Sequence, residues 1–213
     1  MRTRGSDNGS LIPSPAAAGE NAATQVVLAF DDNRLASVLF GQYGQHLALI
    51  ERPLLAAING TAVGGGLEMT LHCDLRFAAS DARLGQPEIK IGFIPPIATT
   101  QALARLIGRP RTLRYLYEGA LVPVSEALSW GLVDELVEPA GLRKRVQAYG
   151  EELAGKSPAA LAAIRHTVTL GGGMTFEDGM NYELEAVAGL ADTADFTEGV
   201  EAFLAKRPPV WRR

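Results

Sequence analysis

Three consecutive glycines, Gly64, Gly65 and Gly66, separate a short apolar run from a stretch of helix formers, and no other feature constrains the fold as tightly. The run Leu54–Ile58 reads as a buried strand, punctuated by Asn59-Gly60. The residues LEMTLHCDL after the glycines hold no helix breaker. A strand, a glycine turn and a helix start therefore follow one another. With no Cβ in the way, the backbone N–H groups of such a turn face outward, and the helix start adds partial positive charge. This arrangement binds anions, and it equally suits an oxyanion that develops during a reaction. Glu68 lies two residues past the glycines, and Glu88 lies 20 residues further on, in Gly85-Gln86-Pro87-Glu88. Pro87 has no N–H and biases Gln86 away from helix, which places Glu88 near the start of a new element. Two carboxylates gathered beside backbone donors can run acid/base chemistry next to a carbonyl. Taken singly, a glycine triplet is also a turn or packing device, and a glutamate is usually a solvated surface group.

The combination resembles the crotonase (enoyl-CoA hydratase/isomerase) superfamily. The match covers PLLAAINGTAVGGGLEMTLHCDLRFAASDARLGQPEIKIGFIP. Its order of apolar strand, A-x-N-G, G-G-G-x-E, C-D, small-residue run and G-x-P-E is the family pattern. The resemblance implies an α/β fold: a crotonase-like ββα spiral core over residues 1–140 and a C-terminal helical trimerisation region over 141–213. It implies Glu68 and Glu88 as the catalytic pair and the Gly65 N–H as an oxyanion donor. Gly64, Gly66, Pro87, Pro95 and Ala98 would line the substrate. The substrate implied is an acyl-CoA thioester, with no separate cofactor and a homotrimer or hexamer as the assembly. Relatives that isomerise or cleave C–C bonds often keep only one of the two glutamates. Retention of both favours hydration of a 2-enoyl-CoA over those reactions, with a catalytically impaired CoA-binding member as the remaining alternative.

The chain departs from the pattern in two places. By composition, residues 1–25 read as a flexible tail. Laid on the family's second oxyanion loop, GSDNGSLIPSPAA puts Ser14 against the substrate and Pro15 where the donating amide belongs. Proline has no N–H, and removing one such donor costs a working site about 10²–10³ in rate. Family members carry further strands before this point, so the first strands of the fold are expected to be missing. The second departure follows Glu88. Relatives have a glycine-rich turn where this chain has Pro95-Pro96-Ile97-Ala98-Thr99-Thr100. That turn is stiffer, adds Cβ bulk and implies an altered acyl pocket. The resemblance also makes Asp134 a pocket polar group in some relatives, and Lys206 and Arg207 candidates for the CoA nucleotide.

At 213 residues and 47% hydrophobic content the chain can bury one sizeable core. A net charge of −4 supplies no basic field for nucleic acid. The single cysteine, Cys73, argues against a disulfide scaffold and reads as a buried thiol. No apolar stretch reaches the roughly 18 residues of a membrane span, and no signal-peptide core follows Arg2 and Arg4, so a cytoplasmic enzyme is expected. Three scattered histidines and one cysteine form no metal-ligand pattern. The glycine triplet lacks both the Lys-Ser/Thr of a P-loop and the spacing of a dinucleotide fingerprint.

Periodicity predicts a helix from Asp32 to Ile50, which includes His46 as a structural residue. Further helices are expected within FIPPIATTQALARLIG, over Arg111–Tyr117 ending at Gly119, and from Val124 to Gly131, the last followed by a strand with Val133, Leu136 and Val137. The remainder is helical: Leu142–Leu153, Pro158–Leu170, Thr175–Leu190 and Thr193–Ala205. Ser157 precedes Pro158 as a cap, and Thr175 with Asp178 resembles a capping box.

Overall fold

The computed structural model describes Leu47 and residues 49–211. The expected oxyanion loop at Ser14 and Pro15, His46, the expected missing strands and most of the Asp32–Ile50 helix lie outside those residues.

The apolar run forms β1, Leu55–Ile58, with every residue buried. It leads through β2, Ala62–Val63, and α1, Gly65–Thr70, into β3, Leu75–Ala79. β1 and β3 pair in parallel, with Ala57 opposite Phe77, and a parallel pair requires a crossover. α1 and β2 supply it. The next turn of chain adds β4, Arg83–Gly85, which pairs in parallel with β2. A 3₁₀ turn, Glu88–Ile91, follows, then α2, Thr99–Ile107, and α3, Arg109–Glu118. The last turn comprises β5, Leu121–Pro123, α4, Val124–Trp130, and β6, Glu135–Val137. The strands sort into two small sheets, β1-β3-β6 and β2-β4-β5. Each turn of the spiral thus gives one strand to each sheet, with helix on the outside. This is the ββα spiral expected from the sequence.

Leu54, Leu67, Leu84, Leu103, Leu132 and Val146 have no exposed surface and tie the sheets to the helices around them. Gly119 and Gly131 close α3 and α4 in the left-handed region, at φ 55° and 78°, where a glycine carries no Cβ penalty. The strand expected from Val133 starts two residues later. Asp134 explains the delay: its N–H donates to the Arg76 carbonyl, and its carboxylate accepts the Arg76 N–H at 2.7 Å. That side-chain grip precedes the regular ladder.

Four helices complete the chain: α5, Leu142–Ala154; α6, Pro158–Gly171; α7, Phe176–Ala191; and α8, Ala194–Leu204. The side chains of Ser157, Thr175 and Thr193 accept the N–H of Ala160, Asp178 and Phe196, capping α6, α7 and α8. Arg165 on α6 ties this region to the core. It donates to Asp74 Oδ2 at 2.9 Å and to the carbonyls of Ile50 and Leu47, while the same Asp74 oxygen accepts the Leu54 N–H ahead of β1. Among the described residues, no helix is long and apolar enough to cross a membrane.

Candidate active site

The site forms where β2 and β4 end side by side. The Gly64 N–H donates to the Gly85 carbonyl at 3.0 Å, so the start of α1 lies against Gln86-Pro87-Glu88. Gly64 sits at φ 53° and ψ −131°, and a Cβ built there lies 2.7 Å from Glu88 Oε1. Glycine at 64 therefore admits both the backbone conformation and the carboxylate. Gly65 faces open space, with no atom within 4 Å of its would-be Cβ. Among the described residues, no backbone carbonyl or side chain accepts the Gly65 or Gly66 N–H.

Glu68, on the first turn of α1, is fully buried. Its Oε2 accepts the Ile97 N–H at 3.3 Å, and its Oε1 is buried with no hydrogen-bond partner among the described residues. Burial raises its pKa from 4.5 to about 7, with the Glu88 charge adding to the shift. The Ile97 N–H and the Thr99 hydroxyl pull the other way. Glu88 opens the 3₁₀ turn directly after Pro87, as expected, and burial raises its pKa too. Gln86, 1% exposed, stands behind it. The amide orientation that satisfies its surroundings puts the nitrogen 2.9 Å from Glu88 Oε2 and 3.3 Å from Oε1. Tyr115, on α3, lies within reach of the Glu88 charge; its hydroxyl is buried with no partner among the described residues, and burial holds its proton tightly. The Glu88 charge works against ionisation of Glu68, so the two carboxyl groups disfavour simultaneous ionisation and their protons belong to the pair.

The other sequence-derived candidates divide. Pro87, half buried, leads into the 3₁₀ turn, and Gly66 follows Gly65 at the start of α1. Pro95 is buried, and Ala98 stands exposed in the left-handed region at the head of α2, φ 53°. Their turn delivers Ile97 and Thr99 to Glu68. Asp134 pairs with Arg76 at 3.1 Å, so its carboxylate is engaged at the junction of β3 and β6. Arg207 binds Glu198 through two nitrogens, at 2.6 and 2.9 Å. Lys206 stands exposed beside it. Cys73 is 4% exposed, and burial pushes its thiol up to about 12, which leaves an inert structural thiol. Among the described residues, no cluster of histidine, cysteine or carboxylates fits a metal ion.

Gln86, His72, Thr99 and the Ile97 amide were not foreseen from the sequence. Gln86 had a signal only in its place two residues before Glu88. His72 had one in its spacing of four from Glu68.

The chain matches the enoyl-CoA hydratase/isomerase family over residues 22–213. It is 39% identical over 161 residues to the (E)-benzylidenesuccinyl-CoA hydratase of Thauera aromatica, covering 76% of this chain and 63% of that protein. It is 32% identical over 176 residues to the short-chain-enoyl-CoA hydratase of Clostridium acetobutylicum, covering 83% and 67%. Its fold superposes on the crystal structure of an enoyl-CoA hydratase from Bacillus anthracis with a TM-score of 0.78 at 34% identity, covering 81% of this chain and 67% of that one. The chain thus spans a little under two thirds of the first of these relatives and about two thirds of the other two.

Proposed function

The chain belongs to the enoyl-CoA hydratase/isomerase family, and from that premise we propose that it adds water across the 2,3 double bond of an enoyl-CoA thioester. The observation that supports this reading is that Glu88 Oε1 lies at Gly64 and its charge acts on the buried Glu68 carboxyl, beside a Gly65 N–H that has no acceptor among the described residues. In the proposed reaction the thioester oxygen takes the Gly65 N–H. Negative charge grows on that oxygen as the enolate forms, and a fixed backbone donor stabilises it without reorganisation. The ionised carboxylate of the pair accepts a proton from water as hydroxide adds at Cβ. The protonated partner delivers its proton to Cα. The pair ends with its charges exchanged, and after product leaves, the newly protonated carboxyl hands its proton through the incoming water to the ionised one, which resets the pair. The chemistry so written needs no cofactor.

The acyl group is the open part of the proposal. Pro96, Ile97, Ala98 and Thr99 occupy the turn that is glycine-rich in the family pattern, and Ile97 and Thr99 are buried against Glu68. Their bulk reshapes the pocket on that side.

The test follows loss of the conjugated enoyl absorbance of crotonyl-CoA. Turnover is expected in the wild type, with Glu68→Gln and Glu88→Gln each lowering kcat by about 10²–10⁴. A folded wild type with no turnover but a CoA-dependent rise in thermal midpoint overturns the hydratase reading and leaves a CoA-binding member.

A further inference from the structure

The segment that begins with α1 sends two side chains to one residue of the 95–99 turn. Glu68 lies on the first turn of α1 and His72 in the turn that follows its last residue, Thr70. Glu68 Oε2 accepts the Ile97 N–H at 3.3 Å, and His72 Nε2 lies 3.0 Å from the Ile97 carbonyl oxygen. A carbonyl only accepts, so Nε2 carries the proton and donates it. Ile97 is 2% exposed, and buried backbone groups need partners that water does not supply there. Both of its backbone groups are met by side chains from the same stretch. The next residue, Ala98, is held at φ 53° and ψ 15°, a conformation a non-glycine residue keeps only where its surroundings impose it.

We propose that His72 is a positioning residue for the acid/base pair: its imidazole N–H pins the Ile97 carbonyl, so that the amide of the same residue stays on Glu68 and Thr99 starts α2 beside that carboxylate. In a glycine-rich turn, backbone conformation alone permits the close approach. With Pro95, Pro96, Ile97 and Ala98 in its place, a side-chain clamp holds the turn down. The groups facing Glu68 are Glu88 from the 3₁₀ turn and the Ile97 N–H and Thr99 hydroxyl from the turn and α2. Loss of the clamp removes one of the two donors that favour the ionised form of Glu68, so its proton is held more tightly.

The kinetic arm rests on the hydratase reading; the exchange arm does not. The whole chain is compared as wild type, His72→Met and His72→Gln. Methionine keeps bulk and loses the donor, whereas glutamine places an amide nitrogen near the position of Nε2. In His72→Met, kcat for crotonyl-CoA is expected to fall about tenfold, the size of one lost hydrogen bond, with KM nearly unchanged. The acid limb of its kcat profile moves to higher pH, and amide hydrogen exchange across residues 97–101 speeds up by about the same factor. His72→Gln is expected to restore all three. A folded His72→Met with wild-type exchange and acid limb overturns the proposal, as does a folded His72→Gln no better than His72→Met. If the wild type lacks turnover, the hydratase reading falls and the exchange comparison alone decides the clamp.

Discussion

Glu68 shows at the scale of one residue how a site is held at a cost to the fold. Its pKa in the folded chain is about 7, against an ordinary 4.5. Below pH 4.5 the group is protonated folded or unfolded and carries no penalty. Between pH 4.5 and 7 the unfolded chain ionises while the folded one resists, and stability falls as pH rises. Above about 7 the penalty is complete, of order 3 kcal/mol for a shift of this size. Glu68→Gln keeps the shape and removes the charge. It is expected to have a higher thermal midpoint than the wild type at pH 8, with the gap closing towards pH 5. A gap independent of pH refutes the assignment. In the proposed reaction this same reluctance to ionise keeps a proton available to the pair at neutral pH.

Among elements, the 95–99 turn is one of the two places where the chain departs from the pattern it resembles, and Ala98 carries the strain. A left-handed conformation costs a non-glycine residue about 1–2 kcal/mol. Replacement by glycine returns that strain but loosens the unfolded chain by about 0.4–1 kcal/mol. Ala98→Gly is therefore expected to raise the urea midpoint, corresponding to a net gain of about 0.5–1 kcal/mol, with the m-value unchanged; a lowered midpoint contradicts this account. The same region marks the boundary of what the sequence could reveal. β1, the caps at Ser157, Thr175 and Thr193, and the closing glycines at 119 and 131 rest on neighbours within a few residues, so local chemistry announced them. Glu88 was legible because Pro87 fixes where the next element begins. The alliance of Gln86 with Glu88, and of His72 and Glu68 with Ile97, depends on how β2, β4 and α2 assemble. Thr99 reads as an ordinary helix start until α2 is packed beside Glu68. Asp134, a pocket polar group in some relatives, holds Arg76 by a 58-residue reach that spacing does not disclose.

For the whole molecule, the spiral is closed by buried polar ties, while the helical region leaves apolar surface uncovered. Arg165 joins α6 to Asp74 and to the chain entering β1, so the helices are docked on the core and do not swing free. Yet Ile164, Val168, Phe176 and Phe203 on these helices are 61, 71, 90 and 82% exposed in the single chain. Phe203 also borders an apolar hollow of about 320 Å³ shared with Leu190, Phe196, Val200 and Trp211. A patch of this kind marks an association surface. The reading we favour is a homotrimer or a pair of trimers, with copies of this chain covering one another through α6–α8. Light scattering on the purified chain is expected to give three or six times the monomer mass of 22.6 kDa. Phe176→Glu with Phe203→Glu places two charges at sites that would be buried between copies, which an interface does not tolerate unpaired. The double variant is expected to run as a monomer with unchanged far-ultraviolet circular dichroism. A wild type that is monomeric at micromolar concentration refutes the assembly while leaving the Glu68–Glu88 site intact, because every contact described there is made within one chain.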